Sequence, residues 1–201
     1  DQFIAVDKYD THIADKLRDN NKIKFIKTEV PPLIQIQSNS IDFVVTFQVI
    51  EHINDDELFL NEIHRVLKPG GKLILTTPNK LMSLTRSPWH VREYTPEQMQ
   101  SLISKIFSLS DVKGVFGNSK VMDYYKKNKE SVGRITKWDI FNMQYWLPKR
   151  LLQIPYDILN RLNRRKLRDN NTALVNHVKY TDYSIGFSSN KCLDHFIIAT
   201  K

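Results

Sequence analysis

The order of elements along this sequence predicts an α/β protein: a three-layer sandwich built on a mostly parallel sheet with helices on both faces. Three observations carry that expectation. Short apolar runs at Phe3–Val6, Ile23–Thr28, Ile41–Phe47, Lys72–Thr77 and Leu109–Phe116 alternate with stretches of helical periodicity. Strands that alternate with helices are joined by crossovers, which run the strands parallel and bury them on both faces. At the end of the chain, Thr181–Phe187, a Ser-Ser-Asn turn and Leu193–Thr200 read as a hairpin, which adds an antiparallel strand to the sheet.

Phe3–Val6 ends at Asp7, and Thr11 to about Asn20 follows as a short helix with Ile13 and Leu17 at helical spacing. Ile23–Thr28 is stopped by Pro31-Pro32. Ile41–Phe47 is a buried strand entered through the polar turn Gln37-Ser38-Asn39-Ser40. Asn54, with Glu57 three residues on, has the spacing of a capping box, and Phe59, Ile63, Val66 and Leu67 form the stripe of the helix it opens. Lys68-Pro69-Gly70-Gly71 ends that helix and leads into Lys72–Thr77. After the loop from Asn79 to Tyr94, Thr95 caps a helix with Pro96 in its first turn and Gln98 closing the box; Met99, Leu102, Ile103 and Ile106 are its buried face. The expected organisation is a core over 1–116, a helical, aromatic and basic insertion over 117–180, and a terminal hairpin over 181–201.

The 201 residues suffice for one domain with an elaboration, and 41% apolar with 26% charged residues is an ordinary globular composition. No apolar run is long enough to span a bilayer, and no secretory leader is visible. One cysteine, Cys192, makes neither an internal disulfide nor a cysteine-based zinc cluster, and a reducing cytoplasm fits it. Net charge is +8, and the excess lies in residues 112–201, with 17 Lys and Arg against 7 Asp and Glu. Such a surface suits anionic partners: phosphorylated substrates, acidic headgroups or nucleic acid. Within 149–168, Arg150, Arg161, Arg164, Arg165, Lys166 and Arg168 alternate with Leu151, Leu152, Ile154, Ile158, Leu159 and Leu162. This is a basic amphipathic segment, suited to peripheral contact with an acidic membrane, with its apolar stripe expected against the core.

In open α/β sheets ligands sit beyond the carboxyl ends of the strands. That rule points to Asp7, Thr28-Glu29, Phe47-Gln48 and Thr77-Pro78-Asn79. A carboxylate at Asp7 can accept both hydroxyls of a ribose, or serve as the acid before a helix. One at Glu29 can accept an exocyclic amino group, or stand solvated in its loop.

The runs Ile41-Asp42-Phe43-Val44-Val45-Thr46-Phe47-Gln48-Val49-Ile50-Glu51-His52-Ile53 and Leu67-Lys68-Pro69-Gly70-Gly71-Lys72-Leu73-Ile74-Leu75-Thr76-Thr77-Pro78-Asn79 are far more specific. They resemble the class I S-adenosylmethionine-dependent methyltransferases, with their Rossmann-like fold. The segment His90-Val91-Arg92-Glu93-Tyr94-Thr95-Pro96-Glu97 and the last strand Leu193-Asp194-His195-Phe196-Ile197-Ile198-Ala199 are similar to the bacterial small-molecule and glycan-associated branch of that family. The resemblance implies S-adenosylmethionine as cofactor. Asp7 would hold its ribose, Lys8 and Tyr9 would flank the adenine, and Glu29, where the family usually has Asp, would meet the adenine amino group. Val30, Phe47, Gln48 and His52 go with them on the cofactor side. The family's first strand and glycine-rich loop have no counterpart here, since no glycine precedes Gly70. The expectation is therefore an N-terminally truncated chain that binds cofactor poorly alone, with the strands ending at Asp7 and Phe47 lacking a neighbour.

The implied activity is methyl transfer to an oxygen, nitrogen or carbon of a small-molecule or glycan-type acceptor. His90 is the candidate base, Glu93 orients it, and Tyr94 lines the acceptor side. Glu51, His52 and the distant His90 also resemble a metal-binding subset of the superfamily. There a carboxylate stands where this chain has Gln48, and a neutral amide is a weak ligand for a hard cation. The preferred reading has Glu51 and His52 tying their turn to the neighbouring helix, with no metal. Two other functions use the same fold: a nucleic-acid binder, ranked lower because no RNA-binding signature is present, and a non-catalytic interaction module.

Overall fold

The computed structural model describes residues 2–9, 20–136, 148, 151–153, 156–159, 161–162 and 178–201. The helix expected over Thr11 to Asn20, the aromatic cluster of Trp138, Tyr145 and Trp146, and the cations Arg164, Arg165, Lys166 and Arg168 lie essentially outside the described residues. The strands are β1 (Phe3–Asp7), β2 (Ile23–Lys27), β3 (Ile41–Phe47), β4 (Leu67–Pro78), β5 (Leu109–Gly117), β6 (Tyr183–Phe187) and β7 (Asp194–Thr200). The longer helices are α1 (Asp56–Val66), α2 (Pro96–Ser104) and α3 (Ser119–Thr136).

β1 and β2 form a parallel pair, and the other strands form a sheet in the order β3-β4-β7-β5-β6. β3 runs parallel to β4, while β7 lies antiparallel between β4 and β5. The mostly parallel α/β architecture with an antiparallel last strand is therefore present, and it is the Rossmann-like arrangement. The terminal hairpin is not. β6 pairs with β5, not with β7, because β7 has β4 on one edge and β5 on the other. The turn after β6 carries the chain across β5 instead of folding it back on itself. β1 and β3 are not paired with each other, and Phe43, Val45 and Phe47 of β3 are exposed.

α1 starts one residue later than the sequence spacing indicates. Asp55, not Asn54, is the cap, and its side chain accepts from the Leu58 N–H at 2.9 Å. The helix turns Phe59, Leu60, Ile63 and Val66 into the core, where they meet Leu73 and Leu75 of β4 and Ile197 and Ala199 of β7. Its outer face steadies the preceding loop: Arg65 donates to the carbonyls of Leu33 and Ile36 and to Glu62. α2 has the full Thr95–Gln98 capping box and buries Met99, Leu102 and Ile103.

The segment Lys68–Gly71 does not form a separate turn after α1. It is an irregularity inside β4, where the pairing with β3 jumps from Ile41↔Leu67 to Phe43↔Lys72. Gly70 holds φ at +81°, a region that glycine enters without steric cost. A Cβ on Gly71 would lie 2.9 Å from the Lys68 carbonyl oxygen and 3.1 Å from those of Ile41 and Asp42. These are backbone atoms in a paired sheet and cannot step aside. Gly71→Ala is therefore expected to cost about 1–3 kcal/mol, the scale of overpacking. Urea denaturation measures it, and an unchanged midpoint would mean that the β3–β4 junction has slack.

Candidate active site

β3 and β4 end side by side, and the chain leaves them in two different ways. After β3, Gln48 takes φ +55°, an uncommon conformation for a residue with a side chain, while its N–H donates to the Thr76 carbonyl at 2.9 Å. This sharp bend sends the chain into the short helical turn Ile50–His52, anchored by the fully buried Ile50. Glu51 is buried with 1% exposure, and its Oε2 accepts from the Thr77 hydroxyl at 3.0 Å. After β4, the loop over 79–94 returns to the same place. The backbone N–H of Val91 donates to the Glu51 carbonyl at 2.7 Å.

That contact brings two histidines together. His52 and His90 meet edge to face, with ring centroids 5.0 Å apart. His90 Nδ1 is 2.6 Å from Glu93 Oε1, and His52 Nδ1 is 3.0 Å from the Trp89 carbonyl oxygen. A carbonyl only accepts, so His52 carries its proton on Nδ1 and points Nε2 towards Glu51, 3.9 Å from Oε1. The expected tie from Glu51 and His52 therefore goes to the Trp89–Arg92 loop and not to the neighbouring helix. The loop is held from the far side as well. Trp89 Nε1 donates to Asp157 at 3.2 Å, and the Tyr125 hydroxyl of α3 donates to the Met82 carbonyl at 2.8 Å.

Tyr94 departs from its expected place on the acceptor side. It is buried, and its hydroxyl donates at 2.7 Å to Asp56 Oδ2, which also accepts from Arg92. Burial, then Asp56, pushes the phenol well above its ordinary range. A hydroxyl so engaged braces the loop against the start of α1. The Tyr94 carbonyl in turn lies 2.9 Å from Nε2 of the buried His195, whose own pKa burial lowers.

On the expected cofactor side, Asp7 closes β1 and accepts from the Tyr9 N–H at 2.8 Å, while its carbonyl accepts from Thr28 N–H at 3.0 Å. Lys8 Nζ lies 5.0 Å from the Tyr9 ring centroid, and that ring is 62% exposed. Glu29 is exposed after β2, and Val30 is half-buried against the core. Phe47 is exposed, and Gln48 Nε2 reaches Thr76 Oγ1 at 3.5 Å.

The sequence reading did not single out Thr77 as the partner of Glu51, or Trp89, Asp56 and Asp194. Asp194 opens β7 opposite Pro78. Burial raises its pKa, Gln48 opposes the rise, and nearby Glu51 adds to it. The strand-end rule already pointed at Thr77. Nothing in a linear sequence places Trp89 against His52 or Asp194 opposite Pro78.

Comparison with known proteins bears on this site. Residues 1–75 match the family described as "Methyltransferase domain". A protein of Mycolicibacterium smegmatis named "Probable S-adenosylmethionine-dependent methyltransferase" is 39% identical over 83 residues, covering 38% of this chain and 32% of that one. The mitochondrial ubiquinone biosynthesis O-methyltransferase of Rattus norvegicus is 34% identical over 61 residues, covering 30% of this chain and 18% of that one. The chain thus spans about a third or less of the length of these relatives. A solved S-adenosylmethionine-dependent methyltransferase from Archaeoglobus fulgidus superposes with TM-score 0.51 at 13% identity, over 98% of this chain and 75% of that one. The fold is that of solved S-adenosylmethionine-dependent methyltransferases, and residues 1–75 and the relatives above make the chain similar to that family over the part they cover.

Proposed function

We propose that the protein transfers a methyl group from S-adenosylmethionine to an oxygen, nitrogen or carbon of a small-molecule or glycan- or lipid-precursor acceptor. The observation that carries this reading is the His90–Glu93 pair, 2.6 Å apart, in the loop that packs on the carboxyl ends of β3 and β4. Fold similarity alone does not choose an activity.

The residues at the strand ends fit the cofactor. Asp7 is an exposed carboxylate beside an exposed aromatic ring, Tyr9, and Glu29 is an exposed carboxylate after the next strand. Asp7 would take the ribose, Lys8 and Tyr9 the adenine faces, and Glu29 the adenine amino group, with Val30, Phe47 and Gln48 walling the site. S-adenosylmethionine supplies a methyl group on a sulfonium, which is already an excellent leaving group. What remains for the chain is alignment and, for an acceptor that holds its proton, proton removal. Donation of His90 Nδ1–H to Glu93 puts the imidazole lone pair on Nε2, the atom that takes the proton. The Glu93 carboxylate then balances the imidazolium.

The basic C-terminal part belongs to the same reading. Among the described residues of 149–168, Leu151, Ile158, Leu159 and Leu162 are exposed, not turned to the core. Exposed leucines beside Arg161 suit an acidic membrane surface or an anionic acceptor. No helix among the described residues is long and apolar enough to cross a membrane. Cys192 is free and buried, which suits a cytoplasmic place of work.

The test is calorimetric titration of the full-length protein with S-adenosylhomocysteine. Asp7→Ala is expected to weaken binding by about 1–3 kcal/mol, the scale of lost charge-assisted hydrogen bonds. Unchanged affinity would make Asp7 a loop acid and remove the ribose assignment.

A further inference from the structure

We propose that the segment 151–162 docks on an acidic lipid bilayer, lying in its interface with Leu151, Ile158, Leu159 and Leu162 turned into the lipid. Residues 151–153, 156–159 and 161–162 are helical. Ile158, Leu159 and Leu162 stand at i, i+1 and i+4, and Leu151 stands seven residues before Ile158, the spacings of one helical face. All four are exposed, from 43% for Leu159 to 64% for Leu151. Leu152, Gln153, Tyr156 and Asp157, on the other side, are half-buried. A surface helix of a globular protein turns its apolar stripe to the core. This segment turns it outward, and a contiguous exposed apolar stripe marks a surface that meets something else.

Charge chooses the occupant. Residues 149–168 hold seven Lys and Arg against Asp157 alone, and Arg161 is exposed next to Leu162. Asp157 gives its carboxylate to Trp89 Nε1 at 3.2 Å, away from the stripe. An apolar face flanked by cations is the composition of a helix that lies among headgroups, its leucines in the acyl boundary and its cations on lipid phosphate. The aliphatic stems of Arg and Lys run along the apolar surface while their charged ends stay with the phosphates. A second copy seated stripe to stripe across a two-fold axis would instead set these cations against their own kind. Twelve residues with Asp157 and Arg161 among them are too short and too charged to cross a bilayer, so the segment lies on it.

The sheltered side of the segment ties the lipid contact to the candidate site. Asp157 accepts from the indole of Trp89, the Trp89 carbonyl faces His52 Nδ1 at 3.0 Å, and His90 is the next residue. Leu81, Trp89 and Val91 of the loop over 79–94 are themselves exposed. A tryptophan with its N–H engaged and its ring half in solvent is a side chain that membrane interfaces favour. Docking therefore holds the loop that carries His90 near the lipid surface, where an acceptor with an apolar tail resides. That consequence rests on the function proposed above; the lipid contact does not.

The test needs neither cofactor nor acceptor, so its failure and the failure of methyl transfer are separable. Full-length protein is sedimented with vesicles of phosphatidylcholine and phosphatidylglycerol in equal parts, and with vesicles of phosphatidylcholine alone. Co-sedimentation is expected with the acidic vesicles only, and it should weaken as salt rises. Leu151→Ser combined with Leu162→Ser should lower the partition at least about tenfold, the scale of one leucine kept out of an apolar phase. Arg161→Glu should lower it at least about fivefold at low salt, the scale of one cation at an anionic surface. These side chains are exposed, so the variants should keep the parental fold, which circular dichroism checks. Leu109→Ser is the control. Leu109 is 68% exposed and pairs with Thr200, which pairs with Lys72 at the end of the sheet away from the loop over 79–94. No association with acidic vesicles, equal association with neutral ones, association that survives the leucine pair, or an equal loss in Leu109→Ser would each overturn the proposal. A dimer in analytical ultracentrifugation that the leucine pair abolishes, without vesicle binding by the parent, would give the stripe to a second copy instead.

Discussion

His90→Gln is expected to slow the proposed methyl transfer by about 10²–10⁴-fold in kcat, the usual contribution of a positioned general base. That corresponds to roughly 3–5 kcal/mol of barrier. The reason is local. The His90 ring is oriented by Glu93 at 2.6 Å and packs against His52 at 5.0 Å between centroids, so its Nε2 has a set direction. Glutamine can preserve a hydrogen bond to Glu93 but cannot take a proton near neutral pH. Glu93→Gln, a change in a positioning residue, should lower kcat less, because the imidazole loses its orienting carboxylate but keeps its own Nε2. The affinity for S-adenosylhomocysteine should stay put in both variants, since the proposed cofactor residues are Asp7, Tyr9 and Glu29. A His90→Gln enzyme with parental kcat would show that the acceptor arrives already ionised and that His90 only fixes its loop.

Much of the fold was readable because each strand is a contiguous run with its own period and stops. Over Lys72–Thr77, Leu73, Leu75 and Thr77 are buried while Ile74 and Thr76 between them are half-buried. Thr95, Pro96 and Gln98 spell a complete cap, and α2 begins there. What the sequence did not carry was the partner of β6. Tyr183–Phe187 and Asp194–Thr200 have every local sign of a hairpin. Only the three-dimensional competition for the edges of β7 puts β5 between them. The cap of α1 slipped from Asn54 to Asp55, because both residue types cap well and spacing alone does not choose between neighbours. In the site, the strand-end rule located Gln48, Thr77 and Asp7 from position alone. The meeting of His52 with His90 follows from a backbone hydrogen bond between Glu51 and Val91, which no spacing encodes. Tyr94 looked like an acceptor-side residue because it follows His90 and Glu93 closely. Its hydroxyl is given to Asp56 instead.

That last contact leads to the second large effect. Asp56→Ala is expected to lower stability by roughly 3 kcal/mol, from the charge-assisted hydrogen bond to Tyr94 and the buried hydroxyl left without its acceptor. Asp56 is 5% exposed in the first turn of α1, where the helix dipole favours a carboxylate. The Arg92 side of the cluster adds little, because its guanidinium is 52% exposed and screened by water. Tyr94→Phe removes the donor and the acceptor's partner together, and should cost about 1.5–3 kcal/mol. In the double variant the losses should fall short of their sum by more than about 0.5 kcal/mol, the mark of residues in direct contact. Strict additivity in urea denaturation would mean that the two groups do not share a hydrogen bond in solution. Kinetics separates bracing from chemistry. With its hydroxyl given to Asp56, Tyr94→Phe should leave kcat near the parent value while the melting temperature falls. A loss of kcat as large as that of His90→Gln would instead place the phenol among the reacting groups, and the loop would have to open for it to reach them.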